Sequence, residues 1–160
     1  MRPIVFLSMD NVLNTEASRE EVMQRTGWTW GQPIPHEELV LPELVQKLNP
    51  LTGKVDFICS SHAIGHMLPL EALTALLQRK GWTGAFLGMT PRKMSSYKCN
   101  EVGWYLQAHP EQAALGFVAI DGDRVNYPDR KSVPHVQPDP QVGLTDEDVR
   151  KAAAILGIEL

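Results

Sequence analysis

The chain has little that would tie it to a membrane, a secretory route or a polyanion. Its 160 residues include only two cysteines, Cys59 and Cys99, which supply neither a disulfide framework nor the paired spacing of a metal site. Cys59 sits inside an apolar run and reads as a small core residue, so a reducing, cytoplasmic setting is expected. No apolar run approaches the roughly 18 residues of a membrane span. Ile4 to Leu7 is also far shorter than the apolar core of a secretory leader. Aromatic residues make up 7% of the sequence and charged residues 21%, with a net charge of −4. That balance provides no general electrostatic pull toward nucleic acid or an anionic membrane surface. Internal repeats and low-complexity tracts are missing as well. What remains is an ordinary globular composition, 43% hydrophobic, at a length that suits a single domain over residues 1–160 with a substantial core.

Short apolar runs punctuate this composition. Ile4-Val5-Phe6-Leu7 leads into Ser8-Met9-Asp10, and Val55-Asp56-Phe57-Ile58-Cys59 leads into Ser60-Ser61-His62. Gly84 to Gly88 is a third run, Leu115 to Ile120 a fourth ending in Asp121-Gly122-Asp123, and Val133 to Val136 a short fifth. Continuous apolar runs of this length suit strands buried on both faces, as in parallel sheets covered by helices. Helical signals fall between them. Pro42 opens a helix whose Leu44, Val45 and Leu48 form an apolar stripe ended by Asn49-Pro50. Pro69 to Lys80 carries Leu70, Leu73, Leu76 and Leu77 at helical spacing, with Gly81 as a stop. Asn100 to His109 places Val102, Tyr105 and Leu106 on one face. Thr145 caps a last helix that begins with Asp146-Glu147-Asp148 and closes at Gly157.

Strands alternating with helices predict a three-layer α/β domain, a doubly wound parallel sheet of about five strands. Residues 15–37 interrupt the alternation. They read as a short polar helix over Glu16 to Gln24, then an irregular loop holding Trp28 and Trp30, whose expected role is packing or lining a pocket edge.

Three strands end in oxygen-bearing side chains: Ser8 and Asp10, Ser60 and Ser61, Asp121 and Asp123. In a parallel sheet those ends share one edge, where ligands of such sheets bind. If β-structure persists to Asp10, Ser8 and Asp10 point to the same face. Taken singly, Ser60 and Ser61 would be strand-end hydrogen-bonders and Lys98 a solvated charge. Together they offer hard oxygen ligands for Mg²⁺ and a hydroxyl-plus-lysine cradle for phosphate. Arg92 and Lys93 compete with Lys98 for the cationic role. His62 and His66 share an i, i+4 spacing but have no third ligand, and read as surface or cleft-edge residues.

In this arrangement the chain resembles the haloacid dehalogenase (HAD) superfamily, specifically its small, nearly capless phosphatase-like members. Phe6-Leu7-Ser8-Met9-Asp10-Asn11-Val12-Leu13-Asn14 matches a first motif of an apolar strand followed by Asp-x-Asp-Gly-Val-Leu-Asn. Phe57-Ile58-Cys59-Ser60-Ser61 matches the second, Lys98 before a helix the third, and Ala119-Ile120-Asp121-Gly122-Asp123 the fourth. The resemblance implies a central first strand, with the second and third strands on one side and the fourth and fifth on the other. It also implies that Asp10 is the acid/base, that Ser60, Ser61 and Lys98 bind phosphate, and that Asp10, Asp121 and Asp123 hold Mg²⁺. Three positions depart from the pattern. Ser8 replaces the nucleophilic Asp, Asn11 the following glycine, and Gly122 the second acid of the fourth motif.

The resulting expectation is a HAD-like phosphohydrolase homologue, weakened or inactive because of Ser8, that keeps a phosphate-, metal- or partner-binding cleft. Its substrate would be a phosphorylated small molecule or a macromolecular phosphosubstrate, because the insertion is too short for a large cap. One alternative is an active Mg²⁺-dependent phosphatase using Asp10 with Ser8 or an activated water. Another is a protein-interaction module that uses Trp28 and Trp30.

Overall fold

Side chains that alternate along each apolar run cover both faces of one sheet. The computed structural model describes residues 1–61, 68–92, 97–128 and 132–160; His62, His66 and Lys93 lie outside the described residues. The strands are β1 (Ile4–Leu7), β2 (Asp56–Cys59), β3 (Phe86–Met89), β4 (Phe117–Ile120) and β5 (His135–Val136). They form a five-stranded sheet in the order β3-β2-β1-β4-β5, and every pairing is parallel. The central position of β1 and the two flanking pairs are as the sequence led us to expect.

The helices are α1 (Glu16–Thr26), α2 (His36–Leu39), α3 (Pro42–Val45), α4 (Leu70–Arg79), α5 (Lys98–Ala108), α6 (Pro110–Ala113) and α7 (Asp146–Leu156). Val5 and Leu7 of β1 join Phe57, Cys59, Val118 and Ile120 on one face, packed against Leu48, Leu73, Leu77, Val149 and Ala152 from the helical layer. Ile4 and Phe6 join Ile58 and Ala119 on the other face, under Val102 of α5 and under Tyr127 and Val133. Helices therefore cover both faces, which is the doubly wound arrangement.

Local chemistry explains the element ends. Thr15 and Ser18 form a reciprocal capping box on α1, and Thr145 and Asp148 form one on α7. The helix opened by Pro42 is shorter than its stripe predicts. It gives way after one turn to a 3₁₀ segment, Gln46–Leu51, with Pro50 inside it. Pro50 has no N–H to donate back along an α-helical ladder, so the longer helix cannot continue. Two single-turn helices, α2 and α6, form where the sequence carried no strong periodic signal.

The insertion has a small core of its own. Val22, Trp28 and Leu39 cluster together, and Trp30 meets Trp28 edge-to-face at 4.7 Å between ring centres. Trp28 is buried while Trp30 is 56% exposed. Among the described residues no helix is long and apolar enough to cross a membrane, and both cysteines are free thiols.

Candidate functional site at the carboxyl edge of the sheet

The strand register builds the centre of the site. Leu7 pairs with Cys59 on one side and with Ile120 on the other. The ladder continues for one residue: the Ser8 N–H donates to the Ile120 carbonyl at 3.0 Å, and the Ser60 N–H donates to the Leu7 carbonyl at 2.9 Å. The Asp121 N–H likewise donates to the Val136 carbonyl at 3.1 Å. Ser8, Ser60 and Asp121 therefore stand side by side. Because side chains alternate, they share the face of Phe6, Ile58 and Ala119, which is the face α5 covers.

Lys98 is the first residue of α5, and the helix delivers it onto this row. Its Nζ donates to Ser8 Oγ at 2.9 Å and to Asp121 Oδ2 at 2.8 Å. Ser8 is 0%, Asp121 1% and Lys98 6% exposed. The Lys98 backbone N–H donates to Asn126 Oδ1 at 3.4 Å, which ties the start of the helix to the loop after β4. Ser60 Oγ and Ser61 Oγ are buried; among the described residues Ser61 Oγ has no hydrogen-bond partner, and Ser60 Oγ faces the Tyr127 hydroxyl. Buried hydroxyls without a full set of partners are costly, and at the sheet edge that Lys98 covers they suit an anionic oxygen. Arg92 is held nearby, with Nη2 donating to the Ser61 carbonyl at 2.8 Å.

Asp10 reaches the site by a different route from the one alternation suggests. β1 stops at Leu7, and the chain turns so that the Leu13 N–H donates to the Met9 carbonyl at 2.8 Å. Asp10 therefore sits on a turn rather than on the strand face that Ser8 occupies. Asn14 organises the turn. Its Oδ1 accepts from the Asn11 N–H at 2.9 Å and from Arg19 Nη1 at 2.7 Å, and its Nδ2 donates to Asp10 Oδ1 at 3.5 Å. Arg19 also donates to Asn11 Oδ1 at 2.5 Å. Burial holds the Asp10 carboxyl above the usual carboxylate range, opposed by the Asn14 hydrogen bond and the charges of Arg19 and Lys98.

A cavity of about 280 Å³ opens here, lined by Asp10, Asn11, Lys98, Asp121, Gly122, Asp123 and Asn126. Ser8 is not among the lining residues, whereas Lys98, which donates to its hydroxyl, is. A larger, mostly apolar hollow of about 400 Å³ lies between α2 and α4 and does not include these groups.

The superfamily generally uses Mg²⁺, which takes near-octahedral oxygen ligands, commonly one or two carboxylates with substrate phosphate. Asp121 already spends Oδ2 on Lys98 and Oδ1 on the Asp123 N–H. Asp123 uses its carboxylate to cap a 3₁₀ turn, accepting from the Val125 N–H and from Asn126 Nδ2, each at 3.0 Å. Ser8 contributes a neutral oxygen. Among the described residues no three His, Cys, Asp or Glu side chains group as metal ligands. This donor set does not fit a Mg²⁺ centre as it stands.

The residues that the sequence reading missed lie on the supporting side of the site. Asn14 and Arg19 belong to a turn and a polar helix whose partners depend on the fold. Tyr127 is buried, and its ring stacks on His135 at 4.4 Å; burial and then the nearby Asp121 charge push its hydroxyl pKa well up. His36 lies within electrostatic reach of Asp10, its basicity lowered by burial and partly restored by that charge. Among the described residues its buried Nδ1 has no hydrogen-bond partner.

Comparison with known proteins agrees with this architecture. A solved hydrolase of the haloacid dehalogenase-like family from Streptococcus pneumoniae matches with a TM-score of 0.51 at 10% identity, covering 94% of this chain and 90% of that one. At that identity the likeness concerns the fold alone. No curated protein matches the sequence. The family model described as the HAD domain in Swiss Army Knife RNA repair proteins matches residues 4–149, from β1 into α7. Since that span takes in the whole sheet and every group of the candidate site, the chain belongs to this family of HAD domains.

Proposed function

We propose that this chain is a HAD-like hydrolase homologue whose phosphoryl-transfer chemistry is weakened or lost, and whose cleft binds a phosphorylated small molecule or macromolecule. The observation that carries the reading is Ser8, at 0% exposure, with its hydroxyl accepting from Lys98 at 2.9 Å. Its position corresponds to the nucleophilic Asp of the superfamily. An aspartyl-phosphate is a labile mixed anhydride, whereas a phosphoserine is a stable ester, so even an attack by Ser8 would stall. Serine also needs a base to remove its proton. Lys98 instead donates to Ser8 while paired with Asp121.

The retained parts support binding. Lys98 lines the cavity and offers a cationic donor to phosphoryl oxygens, with the Ser60 and Ser61 hydroxyls at the same sheet edge. The family description names RNA repair proteins; a phosphorylated nucleic-acid end is one macromolecular phosphosubstrate compatible with this reading, although a net charge of −4 gives no general attraction to nucleic acid. A cytoplasmic setting is part of the same reading.

A second reading draws on Asp10. A carboxyl held above its usual range suits a group that protonates a leaving oxygen, as in a working phosphohydrolase using Asp10 with Ser8 or an activated water. A third draws on Trp30, whose exposed ring suits a protein partner.

The deciding experiment pairs hydrolysis of p-nitrophenyl phosphate with thermal melting in inorganic phosphate. The proposal expects no turnover by the wild type and a melting temperature that rises with phosphate. It expects that rise to be lost in Ser60→Ala/Ser61→Ala. Wild-type turnover abolished by Asp10→Asn would overturn it in favour of the second reading. Absence of any phosphate effect would refute the binding claim.

A further inference from the structure

We propose that Tyr127 is a positioning residue of the anion site: its hydroxyl donates to Ser60 Oγ and so turns the Ser60 proton toward a bound phosphoryl oxygen. Such a role rests on the phosphate-binding reading of the cleft and deepens it.

The Tyr127 side chain is fixed from several sides. Asp123 caps the 3₁₀ turn Arg124–Asn126, and the Tyr127 N–H closes that turn on the Arg124 carbonyl at 3.1 Å. The ring, 1% exposed, packs with Phe6, Ile58 and Ala119 on the sheet face that α5 covers. It stacks on His135 at 4.4 Å between ring centres, with 27° between the planes. His135 is held in turn by Nε2, which carries a proton because it donates to the Asp121 carbonyl at 2.7 Å. The ring so placed turns its hydroxyl to Ser60 Oγ. Ser60 stands one strand from Ser8, about 4.8 Å across the ladder, and Ser8 Oγ takes the Lys98 ammonium. The same short segment also holds the Lys98 N–H, through Asn126.

The proton inventory sets the direction of the bond. Each hydroxyl has one proton to give and lone pairs with which to accept, so whichever way the pair bonds, one proton is left over. A phenol is a stronger acid than an aliphatic alcohol, and its oxygen is a weaker acceptor because a lone pair is shared with the ring. Burial and then the Asp121 charge keep the Tyr127 phenol protonated. Tyr127 is therefore the donor and Ser60 the acceptor. Among the described residues neither hydroxyl has another partner. The reverse bond would strand the phenol proton in the apolar layer beneath α5, where a donor without an acceptor is costly. With Tyr127 donating, the unspent proton belongs to Ser60, at the carboxyl edge of the sheet, where an anion can accept it. Donation by the phenol also polarises the serine O–H, which strengthens its bond to that anion.

The test is calorimetric titration of inorganic phosphate into the wild type, Tyr127→Phe, Ser60→Ala and the double variant, at a temperature where circular dichroism shows all four folded. Phenylalanine keeps the ring and its stack on His135 and removes only the hydroxyl. Tyr127→Phe should weaken phosphate binding roughly three- to tenfold, the worth of about one hydrogen bond. The double variant should bind no more weakly than Ser60→Ala alone, because Tyr127 acts through Ser60. A Tyr127→Phe protein that melts lower yet binds phosphate as tightly as the wild type would overturn the inference and leave the phosphate-binding reading standing, the hydroxyl then serving stability alone. Additive losses in the double variant would overturn it as well, since Tyr127 would then meet the anion itself. If the wild type binds no phosphate, the binding reading fails and the role of Tyr127 falls with it.

Discussion

Replacing Lys98 by methionine tests the centre of the site most directly. Methionine keeps most of the length and all of the apolar character of the stem but removes the ammonium. Asp121, 1% exposed, then loses the cation at 2.8 Å, and Ser8 Oγ loses its donor. Breaking one side of a buried ion pair costs about 3–5 kcal/mol, because the remaining charge is left uncompensated in a medium of low polarity. That is a large part of the roughly 5–15 kcal/mol that typically holds a domain together. At about 3 °C per kcal/mol for a chain of this size, the expected fall in melting temperature is roughly 9–15 °C. Urea denaturation of Lys98→Met, Asp121→Asn and the double variant separates the causes. If the penalty is electrostatic, the double variant recovers much of the loss, since asparagine keeps an acceptor for the Asp123 N–H without the charge. A loss below about 1 kcal/mol, the range of an exposed pair, would refute the buried ion pair. A double variant as unstable as Lys98→Met would show that the cost lies in packing.

Three further outcomes follow from particular contacts. Gly122→Ala should destabilise by about 1–3 kcal/mol through its collision with Asn11; adding Asn11→Gly should relieve it, giving a non-additive cycle in urea melts. Asp10→Asn should stabilise the protein at neutral pH. Asp10 ionises near 3.8 when unfolded and higher when folded, so the wild type loses stability as pH rises through that window. The gap between variant and wild type should therefore widen in thermal melts as pH rises above 3.8, until Asp10 is ionised in the folded state, and close below 3.8. Trp28→Ala should cost about 3–5 kcal/mol by emptying the insertion's small core, while Trp30→Ala should change stability by less than about 0.5 kcal/mol.

Hydrophobic patterning alone dictates the sheet and the position of its reactive edge. Uninterrupted apolar runs such as Ile4 to Leu7 and Phe117 to Ile120 can be satisfied only by burial on both faces, and the helices between them force parallel pairing. Once parallel, Ser8, Ser60 and Asp121 must meet at one edge, because each directly follows an apolar run. Tertiary structure decided how those groups are used. Lys98 could be recognised as a cation near a helix start, but its choice of Ser8 and Asp121 over solvent depends on where α5 crosses the sheet. The placement of Asp10 on a turn, the hold of Arg19 on Asn11 and Asn14, and the exclusion of any side chain at Gly122 are likewise invisible in one dimension. They depend on distances of a few ångströms between segments more than a hundred residues apart in the case of Asn11 and Gly122. Periodicity in a sequence fixes which way a side chain points, whereas only packing fixes which neighbour it meets.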